Sequence, residues 1–221
     1  MPSIDRKSVL GPVLVLGSIW GLAEAALGMY LRQCASTVSG SLMTGAALFF
    51  LAAGWAVSPR LLTIAGMVAM ASFFKLFDAL LLGLPILHGA VANPIFAFIT
   101  EGAAFLLIVL VFRRDLLGRL GGQSLAGGLA ALAAVNVFPL VGFATGIAAC
   151  KVPGPGIPLA LYYGPIAIAL AALTVPAGLA VGARLSALEG RLAGAGSRVL
   201  RWASPATLAL SLAALALLRL I

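Results

Sequence analysis

Long apolar runs, interrupted by short clusters of arginine, glycine, proline and polar residues, repeat along all 221 residues of the chain. A helix that crosses a bilayer needs about 20 mainly apolar residues. Seven segments approach that length: Val9 to Leu31, Ser41 to Val57, Leu61 to Leu82, Asn93 to Phe112, Ser124 to Cys150, Leu159 to Ala183 and Pro205 to Leu220. The fifth contains Pro139, which predicts a kink. The second and the last are short, so a version with the last segment lying in the interface leaves six spans. The pattern therefore predicts an all-α polytopic membrane helix bundle of six to seven transmembrane helices, forming a single integral membrane domain over residues 1–221. Ala23-Glu24-Ala25 resembles a signal cleavage site, but the first run continues past it to Leu31 and is expected to remain as a span.

The informative positions are those that break the apolar pattern inside a span, because an ionisable residue at membrane depth is costly and points to function by default. His88 to Gly102 (HGAVANPIFAFITEG) holds the densest set. A helix starting at Asn93 behind Pro94 places Asn93, Thr100 and Glu101 on one face by i, i+7 and i+8 spacing. Glu101 with these neutral neighbours can accept from amines, ring N–H groups or hydroxyls, or can carry a proton. In the first span Gly17, Gly21, Glu24 and Gly28 lie on or near one face, with Trp20 one turn before Glu24. Small residues there allow close helix contact, so Glu24 either faces a cavity walled by Trp20 or is held at a helix contact. Lys75 and Asp78, three apart on the third span, either neutralise each other or hold a charged substrate group.

Composition sharpens the class. The chain is 62% hydrophobic and 9% charged, with a mean hydropathy of +1.16, which excludes a soluble domain. A net charge of +8 would suggest nucleic acid in a soluble chain. Here the basic residues are topology signals and no nucleic-acid partner is expected. With the N-terminus cytoplasmic, ten of the 14 Lys and Arg fall inside, leaving Arg32, Lys75, Lys151 and Arg219 on the other side. That orientation puts Glu24, Lys75, Asp78, His88 and Asn93 toward the outer end and Glu101 near mid-depth, the arrangement of a solute cavity open to the outside. Segment 184–203, with Arg184, Arg191 and Arg198 at seven-residue spacing, reads as a cytoplasmic interfacial helix against membrane lipids or as a charged loop.

His88 is the only histidine, so no histidine-rich metal site is possible within one chain, and the identity of any metal is left open. Cys34 and Cys150 are both placed at the outer surface, where a disulfide is permitted. No Walker A, GxSxG, HExxH or Gly-rich dinucleotide motif is present, so no ATPase, cofactor or enzyme activity is expected of this chain.

As a set, these residues resemble the substrate-binding membrane subunit, or S component, of an energy-coupling factor transporter. The ladder Gly17, Gly21, Ala25 resembles that family's small-residue surface for its coupling partner. The resemblance implies capture of a small solute, a vitamin-like molecule or a metal ion, near the outer face of a bacterial or archaeal cytoplasmic membrane. It also implies delivery with a transmembrane coupling subunit and cytoplasmic ATPases, with Glu24, Lys75, Asp78, Asn93 and Glu101 holding the solute and Trp20, His88 and Thr100 beside them. Two other readings stay open: a proton-coupled secondary transporter in which Glu24 and Glu101 carry protons, and an intramembrane enzyme acting on a lipid or quinone.

Overall fold

A computed structural model describes residues 9–30, 37–112, 117–147, 158–194 and 198–220. Every regular element among them is helical, and seven helices are long and apolar enough to cross a membrane. In lipid each backbone N–H and C=O must find a partner within its own segment, so uninterrupted apolar sequence becomes helix even where glycine is frequent. The first span, α1 (10–30), opens with an α turn at Leu10–Pro12, widens through a π turn at Val13–Gly17 and continues as Ser18–Tyr30. It is followed by α2 (Thr37–Val57), α3 (Leu61–Leu81), α4 (Gly89–Val111), α5 (Leu120–Val137), α6 (Leu159–Gly194) and α7 (Arg198–Leu220).

The ends of these helices have local causes. Behind α3, Gly83 adopts φ 63°, and Gly83 N–H and Leu84 N–H bond back to Leu80 and Ala79 carbonyls, a Schellman closure that only glycine enters without strain. Helix α4 starts four residues earlier than expected. His88 is its N-cap, its Nδ1 accepting from Ala90 N–H at 3.2 Å, so Asn93 and Pro94 lie inside the helix rather than at its start. The expected break at Pro139 takes the form of a 3-10 turn at Phe138–Leu140, after which a short helix, Val141–Thr145, carries the fifth span to Gly146.

The sixth helix departs most from expectation. It runs 36 residues, about 54 Å at 1.5 Å per residue, against a hydrocarbon core of about 30 Å. It must therefore project well beyond the bilayer. Segment 184–203, expected as a separate interfacial helix or a charged loop, is divided between the projecting end of α6, which carries Arg184 and Arg191, and the start of α7. Cys34, Cys150 and Lys151 lie outside the described residues.

Helix α2 forms the centre of the bundle: Ala47, Leu48, Leu51, Ala52 and Ala53 are all fully buried. Its most extensive contact is with α6, and α6, α5, α4, α3 and α1 follow one another around it. On the α2–α6 face, a Cβ built on Gly178 or Gly182 would overlap the carbonyl oxygens of Phe49 and Ala53. The two backbones therefore touch, as small-xxx-small packing in membranes permits. The ladder on α1 is used similarly, within the chain. A Cβ on Gly17 would lie 2.9 Å from Met70 and one on Gly21 2.6 Å from Phe74, while Ala25 is buried with Phe74 and Leu215. Helix α7 sits outermost, against α1 and α3, with 11% of its span buried.

Candidate functional site

Apolar packing brings α1, α2, α4 and α6 together around two carboxylates. Glu24 on α1 and Glu101 on α4 are each 4% exposed, and they lie close enough for each to feel the other's charge. Trp20, one turn before Glu24, donates its indole N–H to Glu24 Oε1 at 3.1 Å. That indole is fully buried and meets the Phe98 ring edge-on at 5.3 Å between centroids, which ties α1 to α4 directly beside the acids. The Thr44 side chain of α2 hydrogen-bonds Glu101, and Tyr163 of α6 stands within the Glu101 field. Ser41 Oγ, one turn before Thr44, donates to the Tyr163 carbonyl at 2.8 Å and so fixes α6 against α2 at this level.

A second polar cluster adjoins the first. Asp78, buried on α3, receives Arg219 Nε of α7 on Oδ1 and Lys75 Nζ on Oδ2 at 3.4 Å. Arg219 Nη2 also reaches the Ala25 carbonyl of α1 at 3.5 Å. Lys75 in turn lies near enough to Glu24 to attract it. The two clusters are thus joined through α1.

Of the residues expected to form the site, Trp20, Glu24 and Glu101 are brought together, with Lys75 and Asp78 adjoining. The others are placed differently. Thr100 donates its hydroxyl to Ala97 O of its own helix at 2.9 Å. Asn93 is eight positions before Glu101, about 12 Å along the axis, and its Oδ1 is buried without a partner. His88 is exposed, about 20 Å from Glu101 by the same rise, and is occupied as a cap. His88→Ala is therefore expected to lower stability by no more than about 1 kcal/mol, as for loss of an ordinary N-cap, and to leave solute affinity unchanged in a direct binding assay.

Thr44 and Ser41 were not singled out by sequence, since short hydroxyl side chains in apolar helices satisfy themselves on their own backbone and carry little signal; Tyr163 reads from sequence only as one of the polar residues toward the outer end. Arg219 did carry one: a cation near the end of an apolar helix calls for a partner, but it read equally well as a topology charge. Among the described residues no three His, Cys, Asp or Glu side chains converge to hold a metal ion.

The fold and this site define a helical, polytopic integral membrane protein with a buried pair of acidic side chains. No protein-family model, curated protein or solved structure matches the chain.

Proposed function

We propose that this protein takes up a small solute across a bacterial or archaeal cytoplasmic membrane, binding it at the Glu24–Glu101 site from a cavity open to the outer face. In this reading it delivers the solute with a transmembrane coupling subunit and cytoplasmic ATPases, as an S component does. The observation that carries the proposal is the meeting of two buried carboxylates from α1 and α4 beside an indole, a threonine and a tyrosine. Neither carboxylate would be retained at membrane depth for packing alone, because an apolar side chain of similar size would pack without the desolvation penalty. The Gly17, Gly21, Ala25 ladder is covered by α3 and α7, so a coupling subunit would use another face.

A direct test is native mass spectrometry of gently extracted protein. A water-soluble metabolite that co-purifies and is lost in Glu24→Gln and Glu101→Gln supports uptake; a lipid or quinone in its place opposes it. Glu101→Gln keeps the shape and the Thr44 contact but removes the charge. It is expected to weaken solute binding at least about tenfold, the effect of one charged hydrogen bond of roughly 1.5–3 kcal/mol, while the protein still elutes as a folded species. Unchanged affinity would remove Glu101 from the site.

The donors found on the two carboxylates, Trp20 on Glu24 and Thr44 on Glu101, are neutral, and this favours a second reading in which the pair carries protons. Uptake by the purified protein in liposomes, driven only by a pH gradient and without ATPase subunits, would select it over the first.

A further inference from the structure

Glu24 and Glu101 are equally buried but differently surrounded. Glu24 Oε1 accepts the Trp20 indole N–H at 3.1 Å, and an indole nitrogen only donates, so that oxygen serves as an acceptor. Lys75 lies close enough to attract Glu24 while its Nζ stays on Asp78. Glu101 has the Thr44 side chain, a hydroxyl that accepts as readily as it donates. Among the described residues no cation stands against it. Helix α2 and the fifth span, which pack on α4, carry no Asp, Glu, His, Lys or Arg between 37 and 57 or between 120 and 145. Helix α6 presents Tyr163, and the charged residues of α3, Lys75 and Asp78, are held to each other and to Arg219. The remaining titratable neighbour is Glu24, a like charge.

Across the two clusters three acids, Glu24, Asp78 and Glu101, meet two cations, Lys75 and Arg219, among the described residues. Two ionised carboxylates within range of each other in a low-dielectric interior repel, and such a pair relieves the repulsion by taking up one proton. With that proton on Glu101 the clusters are neutral as they stand: Arg219 and Lys75 on Asp78, Lys75 also near Glu24, and Glu101 in need of no cation. No side chain has to move. The same proton on Glu24 would leave Glu101 ionised without a counter-ion and set Lys75 beside a neutral group, so the surroundings select Glu101.

We propose that the resting Glu24–Glu101 site holds one exchangeable proton, carried by Glu101 against the Thr44 hydroxyl, with Glu24 as the anion. Where this proton sits is independent of what is transported; its consequence deepens the uptake reading and rests on it. A solute donor makes a charged hydrogen bond to Glu101 only when that carboxylate is ionised. The carboxyl O–H bond must therefore break, its electron pair staying on the carboxylate oxygen and the proton passing to water. Capture then releases one proton, and proton and solute compete for the same carboxylate. Affinity falls as the medium becomes more acidic.

Infrared spectroscopy of the full-length protein in an ester-free detergent at neutral pH reads the proton directly, through the carbonyl stretch of a protonated carboxyl group, which lies above the amide band and is absent from carboxylates. The band is expected in wild type, lost in Glu101→Gln and kept in Glu24→Gln. Any other pattern, or no band in wild type, would overturn the proposal. Spectra in sodium chloride and in choline chloride should agree; a band that vanishes in sodium alone would put a metal cation in place of the proton and overturn it as well. Should Glu101→Gln not fold, Thr44→Val keeps both carboxyls and removes the hydroxyl. The band should then shift to higher wavenumber, as for a carboxyl group that loses a hydrogen bond, and an unmoved band would overturn the assignment to Glu101. For the competition, native mass spectrometry of wild type extracted at successively lower pH should show co-purified metabolite falling by up to about tenfold for each tenfold rise in proton concentration. Retention independent of pH would overturn the competition. The expected infrared pattern in a protein from which no metabolite co-purifies would instead reject the uptake reading and leave the proton on Glu101.

Discussion

Replacing Gly182 by leucine is expected to abolish recovery of folded protein. Even a single methyl at this position would overlap the Ala53 carbonyl, and the same holds one turn earlier between Gly178 and Phe49. The obstacle is backbone, so no rotamer change relieves it, and α6 would have to move away from α2 along the most extensive helix contact in the molecule. Residues Ala47 to Ala53 at the centre would then lose their partner. Large steric insertions into well-packed cores typically cost 1–3 kcal/mol where neighbours can adjust. Here they cannot, and a loss above about 4 kcal/mol is expected. Fluorescence-detected size exclusion after detergent extraction checks this: Gly182→Leu should give aggregate, with Gly182→Ala reduced in yield and in thermal midpoint. A monodisperse leucine variant with the wild-type midpoint would show that α2 and α6 do not touch through their backbones. An exposed control such as Gly190→Leu, where a Cβ meets nothing, should behave as wild type.

Asp78→Asn is expected to release the last helix. Asp78 is the acid that binds Arg219 to the bundle, and α7 is otherwise held by apolar packing of Leu208, Leu212 and Leu215 near Ala25 and Phe74, on a helix with 11% of its span buried. Removing one partner of a buried pair leaves the other charge uncompensated and costs about 3–5 kcal/mol. Arg219 lies close to the helix end and can reach toward water, so the lower figure, about 3 kcal/mol, is the expected one. The loss should be local. Hydrogen exchange should accelerate in α7 and the facing part of α1 while α2 and α6 stay protected. Asp78→Asn with Arg219→Gln should recover part of the stability, since it removes the stranded charge along with its partner. Uniform acceleration across all helices, or no recovery in the double variant, would show that the pair does not act as a separate clamp for α7.

These two expectations draw on different kinds of information. Gly178 and Gly182 stand four apart in the sixth apolar run, a spacing that marks helix contact in membranes, but the chain contains other glycines at helical spacing and nothing in their order says which helix each will meet. The α1 ladder illustrates this. Gly17 and Gly21 were correctly read as contact positions, and their resemblance to a surface for another subunit came from the same small side chains. Met70 and Phe74, three and seven residues beyond Met67 on another helix, cover them instead. Asp78 raised the opposite difficulty. Its spacing from Lys75 made a local pair sufficient, and the stronger partner, Arg219, lies 141 residues away.

By itself the sequence determined that this is an all-helical membrane protein, where its spans lie to within a few residues apart from the far end of the sixth, and that Glu24 and Glu101 are its least ordinary positions. Hydropathy suffices for that because each span satisfies its own backbone hydrogen bonds, so its existence depends on nothing distant. Tertiary structure alone decided that Glu24 and Glu101 share one site with Trp20, Thr44 and Tyr163, that Asp78 is divided between Lys75 and Arg219, that Asn93 and His88 stand apart, and that α6 continues out of the bilayer. Those outcomes depend on which helix faces touch. In a bilayer the tails are as apolar as leucine, so that choice is made by close packing of small residues and by pairing of buried polar groups across helices, and neither is written in the periodicity of one segment.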